Sequence, residues 1–405
     1  MNVAIIGAGA SGLVCAIEAA RKGLHVSVFD KNTKVGRKIL ATGNGKCNIS
    51  NKTLDSSRYH GTSSSFVKAL LKRFDAFTCK DFFRSIGLEM REGENGRLYP
   101  MSHYASSVVD LLSHEARALG VYFFLETEVE ALTHEKAQFT LHVKNERLHF
   151  DACVIATGSL AMPSLGSSGR GYAFAQALGH SVIEPYPSLV QFVSDEPHLK
   201  EASGVKVEAL VELYVGGHKG ASAKGDVLFT TYGISGNAVL DVSRHASKAF
   251  VEHESVYVVL DCFMQESKES LGALFQKRLT YAGDKSLLLW LEGMIPKKLA
   301  LFILHYSKLN TLQLASSLDA KSIKKLVFAL KALRLPITAT KGFESAEICA
   351  GGVDVREVDE KTMMSKKIDK LYFTGEVLDI DGDCGGFNLH FAWGSGYIAA
   401  QALSH

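Results

Sequence analysis

Gly7, Gly9 and Gly12 follow the apolar run Asn2–Ile6 in the spacing G-x-G-x-x-G. Glycines so placed after a strand have a chemical use. The first permits a tight turn, and the second lets the backbone approach two phosphates with no Cβ in the way. The third lets the next helix pack closely, so the free N–H groups at its start, Ala10 and Ser11 among them, face the anion. The pattern alone is weak, because a glycine turn also serves packing. Its surroundings strengthen it. Leu13, Ala16, Ile17 and Ala20 recur at helical spacing, Gly23 stands beyond them as a C-terminal stop, and a second apolar run, His25–Phe29, ends at Asp30 followed by Lys31. An acid at this offset suits an adenosine ribose and disfavours a 2′-phosphate. A dinucleotide site is therefore expected at the head of the chain.

These residues need elements to hold them. The pattern predicts helices over 64–75 and 102–119, the second opened by an N-cap at Ser102, and strands over 121–125, 128–132, 139–143, 148–150 and 152–156. The last of these ends in Thr157-Gly158, a second turn able to bring backbone near a cofactor. From about residue 188 the texture becomes alternating, and from about 264 to 335 it becomes helical. The tail returns to cofactor chemistry with a short strand over 371–373, Thr374-Gly375-Glu376, Asp379, Gly385-Gly386 and a terminal helix from Asn388. A ligand-facing motif at each end implies an insertion between two halves of one domain. The predicted fold class is α/β, a Rossmann-like domain of residues 1–188 plus 341–405 interrupted by a β-barrel insert (189–263) and a helical insert (264–340).

Composition narrows the partners. With 405 residues, 45 Lys and Arg against 43 Asp and Glu leave a net charge of +2, so bulk electrostatics argues against nucleic acid and anionic membranes and leaves a small-molecule substrate as the expected partner. No apolar run approaches a membrane span, and the opening run is too short for a secretory signal, so a cytoplasmic protein is expected. The seven cysteines are scattered without a C-x-x-C pair and read as free thiols, with no metal site among them.

Four blocks carry a family resemblance: Gly7 to Gly12; Gly36-Arg37-Lys38-Ile39-Leu40 through Gly43-Asn44-Gly45-Lys46-Cys47-Asn48; Leu228-Phe229-Thr230 through Gly233-Ile234-Ser235-Gly236; and Gly351-Gly352-Val353 through Thr374-Gly375-Glu376-Val377-Leu378-Asp379 to Gly386-Phe387-Asn388-Leu389. In this order the chain resembles the BaiN-like (YhiN-like) NAD(P)/FAD-dependent flavoproteins of bacteria. It departs from their pattern at Thr231, Asn237, Met364 and Asp383-Cys384, positions that bear on the substrate. The resemblance implies a split FAD domain of the glutathione-reductase type and non-covalent FAD. It places Gly7, Gly9 and Gly12 on the diphosphate, Asp30 on the adenosine ribose, Arg37 and Lys38 along the diphosphate or ribityl, and the Val129 backbone at adenine. Gly43, Asn44, Cys47 and Asn48 belong to a loop beside the flavin. Gly375, Glu376 and Asp379 fall to the diphosphate and ribityl, and Gly386, Asn388 and Leu389 to the isoalloxazine edge.

The activity implied is an FAD-dependent oxidoreductase that passes hydride through flavin N5 to or from a small organic substrate, with NAD(P)H as a transient donor. The alternatives are a flavin-bound redox sensor or interaction protein without turnover, and a flavin-dependent RNA modifier. No catalytic side chain is assigned. Cys47 reads as a packing residue before a redox-active one, because reactivity needs a depressed pKa. Tyr232, His103 and His390 are proton-donor candidates whose commoner role is structural. Gly166, Gly169 and Gly171 read as a helix cap rather than a second phosphate loop.

Overall fold

A computed structural model describes residues 1–403 and divides the chain into two compact units: Met1–Pro185 with the tail from Glu347, and Tyr186–Ala346. The first unit is built on a five-stranded parallel sheet in the order Leu371–Phe373, Ala152–Ile155, Asn2–Ile6, His25–Phe29, Tyr122–Phe124. Val3, Ile5, Val28, Val154 and Phe373 are fully buried, as near-continuous apolar strands covered on both faces must be. The tail supplies the edge strand next to Ala152–Ile155, so the two ends of the chain share one sheet.

The helix Ala10–Arg21 leaves the first strand and packs on the terminal helix Phe387–Ala402. Their approach is close enough that a Cβ on Gly396 would lie 2.2 Å from the Ser11 carbonyl oxygen. A side chain there would push the two helices apart.

The second unit holds a seven-stranded antiparallel sheet in the order Leu333–Ile337, Val256–Asp261, Lys206–Val215, His218–Phe229, Gly233–Ser235, Phe192–Val193, Ala339–Thr340. Both edges come from one extended segment: Leu333–Ile337 pairs with Val256–Asp261, and two residues later Ala339–Thr340 pairs with Phe192–Val193. The sheet thus closes on itself and leaves no long free edge. The helices Lys268–Leu279, Leu287–Glu292, Lys297–Tyr306 and Ala320–Lys331 share one apolar core with these strands, through Phe229, Phe275, Trp290, Phe302 and Leu330. The stretches read separately from the sequence, 189–263 and 264–340, lie in this one unit.

Several local expectations are corrected. The helix expected over 64–75 ends at Arg73, because Asp75 caps the next helix, Ala76–Ser85, accepting the Thr78 amide at 2.7 Å. Ser102 is not an N-cap. His103 has φ +58° and breaks the chain direction, so the helix runs Ala105–Ala118. The strand expected over 128–132 is Ala131–Glu135, and the terminal helix begins at Phe387, one residue before Asn388. The helix Asn237–Val251 had not been anticipated at all.

Candidate functional site

The glycine loop shows which of its three glycines serve packing. A Cβ on Gly7, whose φ is +113°, would lie 2.3 Å from the Ala156 oxygen, and one on Gly12 would lie 2.0 Å from the Gly7 oxygen. On Gly9 it would meet nothing within 4 Å. Gly7 and Gly12 are therefore required by the protein itself, whereas Gly9 borders open space at the head of the helix beginning at Ala10. That is the position where a ligand's phosphates can reach the backbone.

Asp30 is tied into this loop. Its Oδ2 accepts the Ala8 amide at 2.8 Å, and its Oδ1 accepts both the amide and the side-chain Nδ2 of Asn32 at 2.8 Å. Arg37 donates to Asn32 Oδ1 at 2.7 Å and to the Ser164 carbonyl at 3.0 Å. Asn32, which the sequence reading passed over, thus links the acid after the second strand to the arginine after Gly36. Lys31 lies beside this network in sequence, and the Val129 side chain is buried in the core of the first unit.

The tail closes on the same loop. Ser11 Oγ donates to the Thr374 carbonyl at 3.3 Å, the Gly375 amide donates to Ser395 Oγ at 2.9 Å, and a Cβ on Gly375 would lie 2.5 Å from Ser11 Oγ. Lys38 reaches Glu376 Oε2 at 2.6 Å, and Ser159, just beyond Thr157 and Gly158, donates to the same oxygen at 3.0 Å. Gly158 adopts φ +73° with open space at its Cβ position, while Thr157 packs against Gly171 at the start of the helix Arg170–Ala177, which Gly169 caps. Asp379 is buried and accepts the Thr62 amide at 2.9 Å. Ser159, Ser395 and Thr62 were missed because their partners lie far along the chain.

The loop after Arg37 turns through left-handed residues Gly43, Asn44, Gly45 and Cys47. Gly43 and Asn44 are exposed, but the Cys47 thiol is fully buried, and burial pushes its pKa up to about 12. Burial thus disfavours the thiolate, the form that a nucleophile or a redox cysteine needs. Asn48 Oδ1 is buried without a hydrogen-bond partner, and a Cβ on Gly386 would sit 2.8 Å from it. The buried Thr374 Oγ1 is likewise unpartnered. Orphaned acceptors at the junction of head and tail fit a polar ligand that completes them.

Two expectations about the terminal helix change. The Asn388 side chain turns back on Gly382, accepting its amide and donating to its carbonyl, both at 2.7 Å, so it clamps the preceding turn. His390 is fully buried: Nε2 donates to the Phe74 carbonyl at 2.8 Å, which leaves Nδ1 to accept from Ser50 Oγ at 2.8 Å. Burial lowers its pKa to about 4, so it is neutral at pH 7 with both nitrogens engaged. It is a structural residue, not a proton donor. Leu389 is half-buried beside it, Tyr232 is half-buried under Lys341, and His103 stacks on Tyr99. No helix among the described residues is long and apolar enough to cross a membrane.

Comparison with known proteins identifies the family. The chain is 38% identical over 405 residues to a 3-dehydro-bile acid delta(4,6)-reductase of Clostridium scindens, covering 100% of this chain and 99% of that protein. It is 32% identical over 402 residues to a ribosomal RNA dihydrouridine synthase of Escherichia coli, covering 98% and 97%. Among solved structures, a 3-ketosteroid delta1-dehydrogenase from Sterolibacterium denitrificans superposes with a TM-score of 0.54 at 11% identity over 99% of both chains. That likeness is one of fold alone. The family model described as the HI0933-like protein Rossmann domain matches residues 1–402, and the chain accordingly belongs to this family of FAD-dependent oxidoreductases, its first unit a Rossmann-type FAD-binding domain.

Proposed function

We propose that the protein is an NAD(P)H-linked, FAD-dependent reductase of carbon–carbon double bonds conjugated to a carbonyl. The relatives' names support this class by what they share. A delta(4,6) reduction of a 3-dehydro bile acid saturates an alkene in conjugation with the 3-oxo group, and dihydrouridine forms by saturating the ring bond of uracil conjugated to its carbonyl. When bound, FAD supplies a ring nitrogen, N5, through which hydride passes from a nicotinamide to such an acceptor.

The chain's residues would hold and isolate that cofactor. Gly7, Gly9 and Gly12 with the amides at Ala10 and Ser11 take the diphosphate, helped by the partial positive charge of the helix start. Asp30, Lys31 and Val129 serve the adenosine end. Arg37 and Lys38, with Thr157, Gly158, Gly375, Glu376 and Asp379, line the diphosphate and ribityl. Gly43, Asn44, Cys47 and Asn48, with Gly386, Asn388 and Leu389, form the end nearest the reacting ring, Asn388 through its clamp on Gly382 and Cys47 by packing. Backbone and amide groups dominate this end, which orients a ligand without adding acid or base chemistry of its own.

The observation that carries the reading is the joining of head and tail through Ser11–Thr374 and Lys38–Glu376, with the buried Thr374 Oγ1 left unpartnered at the first of these junctions. The test is optical. Purified protein should be yellow with FAD released by denaturation, should bleach within seconds of anaerobic mixing with NADPH or NADH, and should recover its colour on adding a simple cyclic enone. Flavin that neither donor bleaches favours the sensor reading, and a colourless protein that takes up no FAD overturns the site.

A further inference from the structure

The second unit gathers three metal-ligating side chains that the sequence reading passed over. His198 precedes the short turn Leu199–Ala202 and Glu201 lies within it, while His305 stands in the last turn of the helix Lys297–Tyr306, 104 residues beyond Glu201. Both rings direct Nδ1 at the one carboxylate. The His198 nitrogen lies 3.3 Å from Oε1 and the His305 nitrogen 2.7 Å from Oε2. The ring centres are 5.1 Å apart, and the three donor atoms all fall within 4.8 Å of one another. Among the described residues Glu201 pairs with no lysine or arginine.

The placement is fixed from both sides. Leu199 and Ala202 are buried, and the Glu201 amide donates to the His198 carbonyl at 3.0 Å, so the turn holds the glutamate close to the first histidine. Leu299, Phe302, Ile303 and Leu304 seat the helix in the core of the same unit. The C-terminal end of that helix carries partial negative charge, which favours a cation at His305. The His198, Glu201 and His305 side chains themselves are 44%, 20% and 35% exposed. An ion can therefore enter, and a water can complete its shell.

Hydrogen bonding alone uses this arrangement poorly. Both rings must then offer an N–H to the same carboxylate, and at 3.3 Å the His198 bond is long. A divalent ion instead takes all three groups as lone-pair donors, two neutral imidazoles and a carboxylate whose charge opposes its own. Ligands about 2.1 Å from a tetrahedral zinc ion stand about 3.4 Å from one another. The His198–Glu201 spacing already meets this, and a small rotation of the half-buried His305 brings the third donor into line. Two imidazoles select zinc over magnesium or calcium, which prefer oxygen throughout.

We propose that His198, Glu201 and His305 form a binding site for one zinc ion, with water in the fourth position, that clips the turn Leu199–Ala202 to the helix Lys297–Tyr306. The site lies wholly within the second unit and asks nothing of the flavin reaction. Because the three ligands meet only in the folded chain, bound zinc stabilises the fold.

The test uses the full-length flavoprotein, treated with EDTA and dialysed, then titrated with ZnCl2 by isothermal calorimetry and by thermal melting. One zinc ion per chain should bind saturably and raise the melting temperature by about 5 °C at a hundredfold excess over its dissociation constant. MgCl2 at the same concentration should do neither. E201Q keeps the shape of the side chain and H305A removes one ring. Each should weaken zinc binding by more than about tenfold, the least that losing even an outer partner of a metal site costs. C262S/C384S, which removes the two thiols that are not fully buried, should bind zinc as the wild type does. Zinc-free E201Q and H305A should keep their flavin and melt within about 3 °C of the wild type, which separates loss of a ligand from loss of the fold. No saturable zinc uptake by the wild-type chain, an affinity unmoved in E201Q and H305A, or uptake lost in the cysteine variant overturns the proposal.

Discussion

The two units bury different things. Among the described residues, every Asp, Glu, His, Asn or Gln buried as a whole lies in the cofactor unit, where Glu18, Asn51, His180, Asp354, Asp379, Asp381 and His390 sit inside the fold. The polar residues that the inserted unit buries as a whole, among those described, are serines, Ser188, Ser243, Ser247 and Ser307, within a core of Leu, Ile, Val, Phe and Trp that also encloses single atoms of Gln191 and Arg278. The first unit is therefore specified by directional bonds and close backbone approach, and its stability should depend on pH and on single atoms. The second should behave as an apolar core, tolerant of volume-conserving exchange.

The sharpest test of this contrast lies within one loop. Gly12→Val forces a side chain into the Gly7 carbonyl and should cost more than about 3 kcal/mol, leaving the cofactor unit poorly folded by denaturant titration. Gly9→Val, three residues away, should leave the melting temperature within about 3 °C of wild type while stripping the flavin colour, because its Cβ has room until a ligand arrives. Full flavin occupancy in Gly9→Val would remove Gly9 from the site.

A second test reads the buried imidazole. His390 has its pKa lowered from 6.5 to about 4, so the unfolded chain binds the extra proton between those values. Stability from this group is fully present above pH 6.5 and is lost as the pH falls toward 4, by about 3 kcal/mol in all. His390→Gln should destabilise the protein by about 2 kcal/mol at pH 7 and flatten the fall in melting temperature between pH 6.5 and pH 4. An acid limb unchanged by the substitution would show that His390 is not its source. The inserted unit, with no buried imidazole, should show no such limb.

How much of this was legible in the sequence follows from range. The first strand, its helix and the second strand were readable because G-x-G-x-x-G, the 3.6-residue period and Gly23 are local signals, and the helical texture from about 264 to 335 does hold helices such as Lys297–Tyr306. The helix Asn237–Val251 escaped because Gly233 to Gly236 reads as a turn and its N-cap, Gly236, makes no side-chain cap. The helix Ala76–Ser85 is rich in Phe, Thr and Cys, weak helix formers, and its cap Asp75 was credited to the helix before it. At the site, the glycines were readable but their partners were not. Asn32 between Asp30 and Arg37, Ser159 on Glu376 and Thr62 on Asp379 depend on folding that no spacing rule encodes.

Asn388 offers a smaller effect of the same directional kind. Asn388→Ala removes both bonds to Gly382 and should cost about 1–2 kcal/mol. Asn388→Asp keeps the acceptor for the Gly382 amide but sets a carboxylate against the Gly382 carbonyl, and it should cost at least as much. If Asn388 contacts the cofactor only through this clamp, FAD affinity should fall in step with stability across the two variants. A loss of affinity in Asn388→Asp with stability unchanged would mean direct contact.

The smallest expected effect concerns Lys38 and Glu376, whose side chains are 25% and 19% exposed and joined at 2.6 Å across 338 residues of sequence. A pair this far from bulk water but not enclosed should contribute about 1 kcal/mol of coupling, measurable as the non-additive part of a Lys38→Met, Glu376→Gln double-mutant cycle in denaturant. The same variants separate two roles for the lysine. If Lys38 serves only to hold the tail's Glu376 against the head of the chain, the single variants should weaken FAD binding equally, and the double variant no further. If Lys38 also meets the diphosphate, Lys38→Met should weaken binding several-fold more than Glu376→Gln, with an added dependence on salt that the glutamate variant lacks. Equal losses would reduce Lys38 to a strut between the two ends of the chain, and the diphosphate would then rest on the glycine loop and the helix start alone.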